Sequence, residues 1–169
     1  MRLSYFGDKA GNGGQGMRTD EVELAVARYF NTRTNLIVPN ISWGLYLHEC
    51  DLLVITKAGY AYEVEIKVSL SDLKADAHKG HNHNSKKIKK LYFAIPEKLL
   101  VGIEHIPSRA GIIIIKSEPD YLWCQKYREA QVTGDYKFSM EERLKVAMLG
   151  TMRMWNCKRI IFDRREAKP

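Results

Sequence analysis

Glu49-Cys50-Asp51-Leu52-Leu53-Val54-Ile55, then Lys57-Ala58-Gly59, then Tyr62-Glu63-Val64-Glu65-Ile66-Lys67-Val68-Ser69 is the stretch that decides the reading of this chain. It describes an acid at the start of an apolar strand, a tight turn, and a second strand carrying Glu-x-Lys. Strand side chains alternate between faces. Ala61, Glu63, Glu65 and Lys67 therefore share one face, and Tyr62, Val64, Ile66 and Val68 share the other. The second face reads as core. The first lines up two carboxylates and an ammonium, which is costly to bury unless something uses it. A divalent cation would use it: Asp51 and Glu65 offer hard oxygen ligands, and Lys67 can orient or deprotonate an attacking water. The alternative is a solvated strand face of alternating charge. Two features weigh against that alternative, namely the apolar neighbours of Asp51 and the abrupt switch to helix-capping residues after Lys67.

Outward from this hairpin, the chain of 169 residues reads as one domain, residues 19–157, with a flexible lead-in at 1–18 and a charged tail at 158–169. Apolar residues at 45% and charged residues at 28% are ordinary for a globular protein. The formal net charge of +7 favours an anionic partner, of which nucleic acid is the usual one. No apolar run reaches membrane-spanning length, and no signal-peptide core is present. Cys50, Cys124 and Cys157 are scattered without metal-type spacing, which fits a reducing, cytoplasmic setting. The glycine-rich Gly11–Gly16 stretch is not taken as a phosphate loop, because no strand precedes it and no Gly-Lys-Ser/Thr follows.

A first helix is expected from Asp20, with Glu23 at capping-box spacing and an apolar stripe of Val22, Val26, Tyr29 and Phe30. Asn35 to Asn40 reads as a strand ended by Pro39, and Ser42 to Leu45 as a loop. The hairpin strands are His48 to Thr56 and Tyr60 to Ser69. Ser69 and Asp72 then cap a helix over Leu73 to Lys79. Further strands follow at Lys90 to Ile95, Ala110 to Ile115 and Tyr121 to Gln125. Ser139-Met-Glu-Glu opens a last helix running to Trp155. The order of helix, three strands, helix, three strands, helix implies an α/β fold with a mixed sheet covered on both faces.

Asp51, thirteen residues, then Glu65-Ile66-Lys67, set in this order of elements, resembles the PD-(D/E)xK nuclease superfamily. The junction Glu65-Ile66-Lys67-Val68-Ser69 with Asp72 and Asp76, followed by Leu91 to Pro96, is similar more narrowly to MmcB-type DNA-repair nucleases and their phage-borne relatives. The likeness covers residues 20 to 116. Cys50 departs from it, standing where the superfamily's name has proline. The resemblance implies a restriction-endonuclease-like mixed central β-sheet flanked by helices, and metal-dependent hydrolysis of DNA phosphodiesters in repair, recombination or phage DNA processing. RNA stays open as a substrate, and a homodimer is one assembly the resemblance allows.

It further implies that Mg2+, with Mn2+ able to substitute, is held by Asp51, Glu65 and the carbonyl of Ile66. Lys67 would position the attacking water or offset charge in the transition state. An additional acid on the first helix is implied. Glu23, on the side of Val26, Ala27 and Phe30, fits better than Glu21, with a purely structural capping-box role for Glu23 the equal alternative. Glu63 reads either as a ligand of a second metal or as a solvated group.

Lys79, Lys86, Lys87, Lys89 and Lys90 form a basic run beside the site that suits phosphate contacts without sequence preference, or else a solvated loop. His78, His81 and His83 have an H-x-x-H-x-H spacing, but no nearby cysteine completes a zinc site, so phosphate contact or a polar loop is favoured. His48 reads as a strand residue near the site. Trp43, Tyr46 and Tyr60 are stacking candidates for unpaired bases, with loop anchoring the alternative for Trp43. A different class of function, a nucleic-acid-binding module of the same fold that cuts nothing, requires no metal at Asp51 and Glu65.

Overall fold

The computed structural model describes residues 17–41, 47–76, 83 and 85–166. The lead-in up to residue 16, Trp43, Tyr46, His78, Lys79 and His81 lie outside the described residues. The elements are α1 (Thr19–Tyr29), β1 (Leu36–Ile41), β2 (Cys50–Ile55), β3 (Ala61–Ile66), α2 (Leu70–Asp76), β4 (Ile88–Pro96), a 3-10 segment (Glu97–His105), β5 (Gly111–Ser117), β6 (Leu122–Arg128) and α3 (Met140–Glu166). The strands form one sheet in sequence order. β1, β2 and β3 are antiparallel, β3, β4 and β5 run parallel, and β6 returns antiparallel. This is the mixed sheet flanked by helices that the sequence implies.

Local chemistry explains most boundaries. Gly59 takes φ +90 in the β2–β3 turn, a conformation that costs glycine little, and the turn is closed by Thr56 N–H to Tyr60 O at 2.8 Å. Ser139 and Glu142 cap α3 reciprocally, with Ser139 N–H to Glu142 Oε2 at 2.9 Å and Glu142 N–H to Ser139 Oγ at 3.2 Å. Four expectations need correction, the first being that α2 opens at Leu70 rather than Leu73, with Ser69 Oγ accepting the Asp72 N–H at 3.2 Å. Pro39 does not end β1 but lies inside it opposite Leu52, which an edge strand tolerates because the missing N–H faces no neighbour. α1 starts two residues earlier than expected: Arg18 precedes it, and its N–H is held by Glu21 Oε2 at 3.2 Å, so Glu21 takes the capping place assigned to Glu23. α3 does not stop at Trp155 but continues to Glu166 through residues read as a tail.

Both sheet faces are covered. Val22 and Val26 of α1 pack on Leu52, Val54, Val64, Ile66, Tyr92, Ala94, Ile113 and Ile115. On the opposite face Leu73 of α2 and Leu99 of the 3-10 segment pack on Leu91, Phe93, Ile95, Ile112 and Ile114. Phe138, just before α3, and Val146 of α3 join that same face with Val38, Leu53, Ile55, Ala61 and Ile88. Burial of these side chains from water is the main stabilising term. The face of β3 that carries Glu63 and Glu65 thus looks into the interior beneath α2. Among the described residues no helix is long and apolar enough to cross a membrane, and all three cysteines are free.

Candidate active site

Antiparallel pairing of Leu52 with Val64 brings the start of β2 against the end of β3. Asp51 therefore reaches the backbone of the neighbouring strand, and its Oδ2 accepts a hydrogen bond from the Ile66 N–H at 2.7 Å. Lys67, just past β3, is anchored by its own N–H to Ala94 O at 3.1 Å. Its ammonium lies 2.7 Å from Glu65 Oε2, 3.2 Å from Asp76 Oδ1 and 3.5 Å from Asp51 Oδ2. Asp51, Glu65 and Lys67 are thus together at one end of the sheet, as the sequence predicts. They do not lie on a solvated face: Glu65 and Lys67 are 2% and 3% exposed, and only Asp51 opens to solvent, at 38% of its side chain.

Charge and burial set the protonation states. Burial opposes the Lys67 charge, but Glu65, Asp51 and Asp76 outweigh it and raise its pKa, so Lys67 stays an ammonium. Burial raises the Glu65 pKa, helped by Asp51 and Glu63 and resisted by Lys67. Glu23 is half-buried, and burial followed by the charge of Asp51 raises its pKa as well. With Glu21 occupied at the helix cap, Glu23 is left as the α1 acid that shares a field with Asp51.

Glu63 is completely buried, which rules out its solvated reading. Its Oε1 lies 2.7 Å from His48 Nε2 and 2.6 Å from His83 Nδ1, while His83 Nε2 is 2.8 Å from Asp76 Oδ2. These contacts hold the Glu63 pKa down against the effect of burial. They also raise His83 to about 9 although burial alone would lower it, so its imidazole is charged at neutral pH. His83 is therefore a buried ion-pair partner and not part of a polar loop. The sequence carried a signal for Asp76, since its spacing from Leu73 puts both on the buried helix face. It carried none for the meeting of His48 with His83.

The basic run is largely engaged. Lys87 pairs with Glu142 at 2.7 Å, Lys90 pairs with Glu129 at 2.7 Å, and Lys89 sits 3.2 Å from the centre of the Tyr60 ring. Lys86 is exposed. The Tyr60 face proposed for base stacking is thus covered by Lys89, with Lys137 also near it at 5.1 Å.

No protein-family model matches this chain, and no curated protein matches it either. Among solved structures, the fold is similar to that of a protein of unknown function from Silicibacter pomeroyi. The TM-score is 0.60 at 17% identity, over 89% of this chain and 94% of that one. At that identity the likeness speaks for the fold alone.

Proposed function

We propose that this protein is a divalent-metal-dependent nuclease that hydrolyses DNA phosphodiester bonds, with Asp51, Glu65 and Lys67 at its centre. The observation that carries the reading is the convergence of those three side chains at the end of β3, with Asp51 clamped to the Ile66 N–H. The sequence of α1, an antiparallel β1–β2–β3, the α2 crossover and a parallel β4 agrees with the restriction-endonuclease-like core that the PD-(D/E)xK resemblance implies.

The residues fit a hard cation. Glu65 Oε1 is buried without a hydrogen-bond partner among the described residues, and Asp51 supplies a second carboxylate open to solvent. Asp51, Glu65 and the Ile66 carbonyl would hold Mg2+, or Mn2+ in its place. When bound, such an ion polarises a phosphate oxygen and acidifies water. The chain's own residues do the rest. Asp51 faces solvent and meets the diester first. Lys67, kept protonated by its carboxylates, serves as a hydrogen-bond donor to charge that develops on the phosphate, not as a base. Glu23 adds a carboxyl group with a raised pKa, suited to holding or passing a proton.

A second reading has one observation in its favour. Lys67 already pairs with both Asp51 and Glu65, as it would in a nucleic-acid-binding module that cuts nothing. Cleavage of labelled single-stranded, duplex, flapped and four-way-junction DNA separates the two, run with Mg2+, Mn2+ or EDTA and with Asp51→Asn as control. Metal-dependent cutting that Asp51→Asn abolishes supports the nuclease. Binding of DNA without cutting under any metal supports the inert module.

A further inference from the structure

His48 precedes β2 and His83 follows α2, yet both direct a ring nitrogen at one oxygen of Glu63, at 2.7 and 2.6 Å. The other oxygen, Glu63 Oε2, is buried and meets no hydrogen-bond partner among the described residues. Glu63 itself is 0% exposed. A buried carboxylate oxygen left without a partner is costly, so the arrangement favours an added cation. One ligand atom from each of the three residues lies within 4.8 Å of the others. Small side-chain rotations bring such a set to the roughly 3.3 Å spacing that tetrahedral bonds of about 2.0–2.1 Å produce.

Two further features are those of a metal ligand set. His83 Nε2 faces Asp76 Oδ2 at 2.8 Å, leaving Nδ1 to point at Glu63. A ligating histidine commonly gives its other N–H to a carboxylate, which fixes tautomer and ring orientation. The charge balance points the same way. Among the described residues, Glu63, Glu65 and Asp76 are buried carboxylates faced by the one buried ammonium of Lys67, and a ligating His83 contributes a neutral imidazole. A divalent ion would offset the remaining negative charge.

The geometry points to a zinc-type divalent cation site made by His48 Nε2, His83 Nδ1 and the Glu63 carboxylate, with Asp76 holding the His83 ring. Two imidazoles and one carboxylate select Zn2+ over Mg2+, whereas the carboxylates of Asp51 and Glu65 suit the harder ion. The His48 side chain is 16% exposed, which gives the ion a way in and leaves a fourth position to water. The site adjoins the Asp51–Glu65 pair, with His83 Nδ1 3.9 Å from Glu65 Oε1, but takes no ligand from that pair and does not depend on phosphodiester hydrolysis.

The test is Zn2+ binding by the full, chelator-stripped chain, measured by competition with a chromophoric chelator and by the visible absorption of Co2+ in its place. One equivalent is expected in the wild type and in Asp51→Asn. Binding should be lost in His48→Gln and Glu63→Gln, and weakened about 10–100-fold in Asp76→Asn. His48 is partly exposed and outside the strands, so His48→Gln keeps its fold, checked by circular dichroism, and decides the matter if Glu63→Gln does not fold. Absence of stoichiometric Zn2+ in the wild type overturns the proposal. So does wild-type affinity in His48→Gln, or loss of binding in Asp51→Asn. None of these readouts involves cleavage, so failure here and failure of the nuclease reading are distinguishable.

Discussion

Asp51 Oδ2 accepts the Ile66 N–H at 2.7 Å, so the acid of one strand is fixed by the backbone of the next, midway between Glu65 and Lys67 in sequence. The contact orients the carboxylate without occupying its other oxygen. An amide at this position keeps the acceptor oxygen but removes the negative charge. Asp51→Asn should therefore keep the fold and the affinity for DNA while cleavage falls to background, and Glu65→Gln should do the same. Filter binding beside the cleavage assay checks this; joint loss of binding and cutting would count against the assignment.

Lys67 touches three carboxylates, and its role as a donor to developing charge predicts an effect on turnover more than on affinity. Lys67→Ala should lower kcat by about 10²–10³-fold with little change in KM. An equal loss in both parameters, or none, would remove Lys67 from the chemistry.

Glu21 and Glu23 separate capping from catalysis. Glu21→Ala should lower Tm by no more than about 4 °C and leave cleavage unchanged. Glu23→Gln should lower cleavage without lowering Tm, because it removes a half-buried acid from the field of Asp51. The reverse pattern would return Glu23 to a structural part.

Glu142 ties α3 to the sheet through Lys87 Nζ and Tyr136 Oη, both at 2.7 Å. Burial alone would raise its pKa, but these partners and the Ser139 N–H bring it down to about 2. A lowered folded-state pKa gives stability that is present above the unfolded value and is lost as pH falls through the folded one. Urea unfolding of wild type and Glu142→Gln should therefore differ by a constant amount from pH 5 to 7, with the gap closing as pH drops toward 2. A gap that persists in acid would contradict the linkage.

Phe93 is 1% exposed and presents its ring edge-on to His83, with centroids 5.8 Å apart. Phe93→Ala should cost about 3–5 kcal/mol of stability, measured by urea denaturation.

Among the described residues of the basic run Lys86 is the exposed one, while Lys87 and Lys90 are paired with glutamates. Lys86→Glu should weaken DNA binding on every sequence and reduce the slope of log affinity against log salt by about 1, with stability unchanged. Lys87→Glu should instead destabilise the fold by setting two carboxylates face to face at Glu142.

Much of this protein is written locally. The Gly59 turn, the Ser139–Glu142 cap, and the alternation that sends Val64 and Ile66 one way and Glu63 and Glu65 the other depend on neighbouring residues, so the sequence alone determines them. The element order and the grouping of Asp51, Glu65 and Lys67 follow from the same rules, because a short hairpin sets its own register. Tertiary structure decided the rest. Whether the Glu63–Glu65 face meets water depends on α2 returning over the sheet, and that return buries Glu63, delivers Asp76, and brings His83 to His48. No local pattern encodes such a meeting: the spacing of His78, His81 and His83 read as phosphate contact or a polar loop, whereas the described contacts of His83 come from β3, α2 and the segment before β2. Burial is a property of the packed layers, and it turned a row of charges that could have been solvated into a buried cluster of ion pairs.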